Sequence, residues 1–107
     1  MVAVALEALA QETGGELFGD SVTLGKLVID SREVSEGDLF AAIKGTRVDG
    51  HSFAPKALQA GAAALLTERK LDGLVPQLVV RDIASASGRF GHLKRCAFEG
   101  AVVAITG

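Results

Sequence analysis

Two short stretches of this chain combine residue types suited to an anionic or nucleotide ligand. Asp30-Ser31-Arg32 sets a hydroxyl beside a guanidinium. Arginine offers planar, forked donors and serine one more, a set that can hold a phosphate. The tripeptide also has a purely structural reading, in which Asp30 caps a turn and Arg32 pairs with a nearby carboxylate such as Glu33, Asp38 or Asp49. The second stretch is Lys44-Gly45-Thr46-Arg47-Val48-Asp49-Gly50-His51. Its glycines permit unusual backbone angles and close approach of a ligand, and its amides are suited to a base edge or a phosphate. It reads equally as a flexible connection with solvated charges. Two other combinations carry less. Asp30, Ser31 and His51 have the residue types of a hydrolase triad, but no nucleophile-elbow pattern surrounds the serine. His92 and Cys96 lie four apart on one helix face without the further ligands a metal needs. Cys96 reads as a small apolar residue and His92 as a surface or boundary histidine.

Both stretches follow segments that predict strands. Lys26-Leu27-Val28-Ile29 runs into the tripeptide. Leu39-Phe40-Ala41-Ala42-Ile43, apolar throughout and so suited to burial on both sheet faces, runs into the second stretch. Loops after buried strands are where α/β sheets commonly place ligands. Around them, Leu6, Leu9, Ala10 and Thr13 keep helical spacing up to Gly14-Gly15. Glu16-Leu17-Phe18 predicts a strand, as do Ala63-Ala64-Leu65-Leu66 and Gln77-Leu78-Val79-Val80. Ser52 is expected to cap a helix in which Phe53, Ala57 and Ala60 share a face, with Pro55 in its first turn and Gly61 at its end. Asp82 is an N-cap for a longer helix with the stripe Ile83, Ala86, Phe90, Leu93 and Ala97. Gly88 and Gly91 weaken that helix, and close packing on the sheet is the expected compensation. Residues 101–107 predict a last buried strand. The alternation implies an α/β fold, a single small domain with a mixed sheet flanked by helices.

The balance of residues excludes several classes. At 107 residues with 49% apolar and 22% charged side chains, the chain suits one globular domain and neither disorder nor a fibre. A net charge of −2 without a basic stripe argues against a nucleic-acid module. Cys96 is the single cysteine, so no internal disulfide forms and a reducing compartment suits the chain. The opening residues meet Glu7 early and lack a basic region, making a poor secretory signal. No apolar run approaches the roughly 20 residues that span a bilayer. A cytoplasmic location without a membrane span is expected.

Taken in order, four elements resemble the N-terminal domain of the Mur ligase family. They are Asp30-Ser31-Arg32, then Glu36-Gly37-Asp38 continuing through Lys44-Gly45, then Asp49-Gly50-His51-Ser52-Phe53, then Gly61-Ala62-Ala63-Ala64. Within the family, Pro76 to Val80 with Asp82, and the Ile105-Thr106-Gly107 ending, favour the branch that joins D-alanyl-D-alanine to UDP-N-acetylmuramoyl-tripeptide over the branch that adds the third amino acid. The resemblance implies a peptidoglycan precursor ligase of three domains in the cytoplasm. ATP with Mg²⁺ in the parent's second domain activates the precursor's terminal carboxylate as an acyl phosphate, and the dipeptide amine attacks it. Residues 1–100 would be the UDP-precursor-binding domain, and 101–107 the first strand of the ATP-binding domain. Ile29 and Ser31 would sit beside the uridine diphosphate, while Thr46, Arg47 and Val48 would wrap it. Arg32 would either touch phosphate or brace the loop, and Gly107 would open the ATP loop. This chain alone would be inactive, with no cofactor of its own. A non-catalytic interaction module is the reading from a different class.

Overall fold

A computed structural model describes the backbone of residues 4–43 and 50–103 and the side chains of 4–43 and 50–95. In chain order the elements are β1 (Val4–Ala5), α1 (Leu6–Thr13), β2 (Glu16–Phe18), β3 (Thr23–Leu24), β4 (Leu27–Val28), β5 (Leu39–Ala41), α2 (Ala54–Gln59), β6 (Ala64–Thr67), β7 (Gln77–Val79) and α3 (Ile83–Val103). Short 3-10 turns at Ser31–Glu33 and Gly50–Phe53 follow β4 and precede α2. A five-stranded sheet has the order β2-β7-β6-β5-β4, and β1 pairs with β3 in a separate two-stranded ribbon. The edge pair β2–β7 is antiparallel and the remaining pairs are parallel, so the sheet is mixed as expected.

The unbroken apolar strand β5 explains the layering. Successive strand side chains point to opposite faces, so Leu39 and Ala41 enter one core and Phe40 and Ala42 the other. The first core is closed by Leu6 and Leu9 of α1 and by Ile83, Ala86 and Phe90 of α3. The second is closed by Ala54 and Ala57 of α2. Strand β6 divides the same way, with Ala64 and Leu66 on one side and Leu65 on the other. Helices thus cover both faces of a mostly parallel sheet, as unsatisfied apolar faces require.

Several local expectations agree with the structure. Gly14 ends α1 in the left-handed conformation at φ 69°, which suits glycine at a helix C-terminus. Asp82 caps α3, its carboxylate accepting from the Ala84 N–H at 3.1 Å and the Ser85 hydroxyl at 3.0 Å. Others are corrected. Ser52 does not cap α2: the 3-10 turn runs through it, and Phe53 stands at the cap without a side-chain bond. That turn shifts the helix start, so Ala54 and Ala57 are buried while Phe53 and Ala60 are exposed. Gly88 and Gly91 are not packed against the sheet, since a Cβ at either would meet nothing within 4 Å. Residues 101–103 continue α3 where a strand was expected. A strand must find a neighbouring strand for its backbone groups, whereas a helix satisfies its own. Among the described residues no strand lies beside 101–103; residues 104–107 lie outside the described part.

Candidate functional site

The first stretch occupies the turn directly after β4. Asp30 begins a 3-10 turn by accepting the Arg32 N–H at 2.9 Å, and Ser31 is buried as its first residue. The Arg32 side chain folds back onto the same carboxylate, with Nε 3.1 and 3.3 Å from its oxygens and Nη2 at 2.8 Å. Hydrogen bonds from the Arg32 side chain, then from its backbone, hold the Asp30 carboxyl at about 2 against an ordinary 3.8. The structural reading of Arg32 therefore has a different partner from the three expected. Glu33, Asp38 and Asp49 are replaced by Asp30, two residues away, because the tight turn brings the guanidinium back over its own cap.

Of the second stretch, only Gly50 and His51 lie among the described residues. Ile43 leaves β5, and the Gly50 N–H donates to the Ile43 carbonyl at 2.8 Å, clasping the two ends together. The approach needs glycine, because a Cβ at Gly50 would stand 2.5 Å from that carbonyl oxygen. Thr46, Arg47 and Val48 lie outside the described residues, as does Gly107.

The first stretch and Gly50 of the second face one cleft of about 560 Å³ beyond the carboxyl ends of β4 and β5. Ile29, Asp30, Ser31 and Arg32 form one wall, and Ile43, Gly50, Phe53 and Lys56 complete it. Ile29, Ser31 and Arg32, expected from the sequence as site residues, thus line the cleft together with Ile43 and Gly50. Ile43, Phe53 and Lys56 were missed. Phe53 and Lys56 lie three apart at the start of α2, and this spacing puts both on one side. Only the 3-10 turn makes that the cleft side.

The hinge between β4 and β5 is set by a residue whose sequence signal was only a turn. Asp38 is buried and accepts the Lys26 ammonium at 2.7 Å, the Ser35 N–H at 2.8 Å and the Lys26 N–H at 3.3 Å. Burial pushes its carboxyl up, but these bonds outweigh that and hold it below its ordinary value. On the far side of the second stretch, His51 is buried and its Nε2 accepts the Glu68 N–H at 3.1 Å. Glu68 in turn accepts the Ile83 N–H at 2.9 Å, linking the turn before α2 to the start of α3. With Asp30 held by Arg32 and His51 Nε2 by Glu68, no relay from Asp30 through His51 to Ser31 is assembled. No group of three or more His, Cys, Asp or Glu placed to hold a metal occurs among the described residues. No helix there is long and apolar enough to cross a membrane.

Comparison with known proteins now decides the family. The Mur ligase family, catalytic domain, matches residues 24–89, more than half of the chain, and this span contains every described wall of the cleft. The chain belongs to the Mur ligase family. The UDP-N-acetylmuramoyl-tripeptide–D-alanyl-D-alanine ligase of Escherichia coli strain K12 is 42% identical over 107 residues, covering 100% of this chain and 24% of that protein. The UDP-N-acetylmuramoyl-L-alanyl-D-glutamate–2,6-diaminopimelate ligase of Bacillus velezensis is 57% identical over 53 residues, 50% of this chain and 11% of that protein. A crystal structure of MurF from Acinetobacter baumannii superposes with a TM-score of 0.75 at 31% identity, covering 85% of this chain and 21% of that one. The mixed sheet with helices on both faces is therefore the architecture of a Mur ligase N-terminal domain. The chain spans about a quarter of the length of the Escherichia coli ligase.

Proposed function

We propose that this chain is the UDP-precursor-binding domain of an ATP-dependent ligase that joins D-alanyl-D-alanine to UDP-N-acetylmuramoyl-tripeptide in peptidoglycan synthesis. The observation that carries the reading is the shared cleft. Ile29–Arg32, after β4, and Ile43 and Gly50, on either side of the residues that follow β5, line one concavity at the carboxyl edge of the sheet. That is where open α/β sheets take nucleotide ligands. The match over the whole chain to a tripeptide ligase supports this branch of the family.

In this proposal the chain's own residues bind and orient, and they do no covalent chemistry. Ile29 and Ser31 stand beside the uridine diphosphate, with Thr46, Arg47 and Val48 closing over it. Arg32, held by Asp30, braces the turn that presents Ser31. Holding the UDP end fixes the far end of a long precursor, so that its terminal carboxylate reaches the rest of the enzyme in a restricted set of poses. ATP and Mg²⁺ would serve the remainder of the parent, where ATP would pass its γ-phosphoryl group to the carboxylate with release of ADP and the dipeptide amine would displace phosphate to form the amide; Gly107 is proposed to open that phosphate loop. By itself the chain is proposed to be inactive.

A second reading keeps the site and changes the acceptor. The higher identity to a diaminopimelate ligase over half of the chain favours it locally. Isothermal titration with UDP, then with the UDP-tripeptide, tests the common claim. Saturable heat with both ligands is expected, with similar affinities because the contacts assigned to this chain lie on the UDP end. Absence of heat at millimolar UDP would contradict the reading.

A further inference from the structure

We infer that Lys56 is a cation of this cleft that meets the ligand's phosphates, and that Ile29, Ile43 and Phe53 form the apolar surface under its base. The inference rests on the proposed nucleotide site and divides its lining by charge. Two described cations face the cleft, Arg32 and Lys56. The Arg32 guanidinium is engaged with both oxygens of Asp30, and Asp30 additionally holds the Arg32 N–H. A phosphate approaching that fork meets a carboxylate beside it, and the two charges of the pair largely cancel at the distance of the ligand. Lys56 is different. Among the described residues no carboxylate pairs with its ammonium. It is therefore the group in the described lining whose positive charge is not already answered.

The apolar half is equally distinct. Ile29 is 60% exposed, Ile43 44% and Phe53 37%, three of the four large hydrophobic residues left exposed among the described residues, and all three line this cleft. A planar base laid on such a surface covers it, and an aromatic ring supplies a stacking face. Phe53 and Lys56 are three residues apart, so the stacking face and the ammonium project from the same side of the chain at the start of α2. A base and its phosphates are separated by one ribose, and a ligand of that shape bridges the two halves. The class of ligand that fits is a nucleoside diphosphate, with the phosphates rather than the sugar or the base contributing the contact to Lys56.

The test is to titrate this chain, and its Lys56→Gln and Lys56→Arg variants, with UDP and with uridine at two salt concentrations. Far-UV circular dichroism confirms that each variant is folded; the exposed position of Lys56 makes this the expected result. UDP affinity should fall about tenfold in Lys56→Gln, as loss of one charge-assisted contact implies, and should be retained in Lys56→Arg. Uridine affinity should not change, and the salt dependence of UDP binding should weaken in Lys56→Gln. Unchanged UDP affinity in Lys56→Gln, with the wild-type chain binding UDP, overturns the inference and leaves the nucleotide site standing. Equal losses for UDP and uridine overturn it too, since Lys56 would then act on the shape of the cleft. Failure of the wild-type chain to bind UDP overturns both.

Discussion

Asp30 answers the Arg32 fork with both carboxylate oxygens, so the tripeptide at the lip of the cleft is a turn that neutralises itself. The consequence is measurable in acid. A carboxyl held at about 2 in the folded chain and near 3.8 when unfolded adds stability at pH above about 4, and that contribution disappears as the pH falls through 2. A carboxyl NMR titration should place Asp30 near 2, and Arg32→Ala should return it toward the ordinary value. Titration of Asp30 near 4 in the intact chain would contradict the pairing. That Asp30 caps a turn was legible because an Asp side chain readily bonds the backbone two residues on. Arg32's partner was not, because sequence separation does not reveal that a 3-10 turn folds the guanidinium back two residues. Asp38 shows the same limit. Its lowered carboxyl joins Lys26 and Ser35 across the β4–β5 hinge. Asp38→Ala should destabilise by about 1–3 kcal/mol in urea titration at neutral pH by orphaning those donors.

The elements that were legible are those whose signal is local and repeated. Strand β5 was readable from five successive apolar residues, and α1 from its spacing and the glycine that stops it. The two-residue strands β1 and β3 were not, since so short a segment shows no period. Helix α2 was legible with Ala57 on its buried face, but the preceding 3-10 turn delays its start and buries Ala54 in place of Phe53 and Ala60. Gln77 was legible only as a strand residue, yet it is buried in β7 and donates to the Leu71 and Leu74 carbonyls, organising the connection from β6. Helix α3 offers a direct test at its glycines. With open space around both, Gly88→Ala and Gly91→Ala should each raise stability by about 0.5–1 kcal/mol. Had these glycines served close packing, alanine would lower it. Gly50→Ala should do the opposite, because its Cβ would meet the Ile43 carbonyl and open the clasp at the cleft.

Across the whole molecule, one sheet separates two cores, so neither core can be lost without exposing the other's strands. Leu65 and Leu66 are neighbours in β6 that enter opposite cores. Either residue replaced by alanine should cost about 2–5 kcal/mol. Both variants should shift the same single transition followed by far-UV circular dichroism; a second, separate transition in either would show that the layers unfold independently. The sheet's layering also fixes where the cleft lies, since the parallel strands β4 and β5 end together beside it. The central claim is that this cleft receives the UDP group. Chemical-shift mapping with UDP tests it most directly. The prediction is a contiguous set of shifts at Ile29–Arg32, Ile43, Gly50, Phe53 and Lys56; shifts confined to the separate cleft around Arg81, Ser85 and Arg89, or none at millimolar ligand, would contradict it.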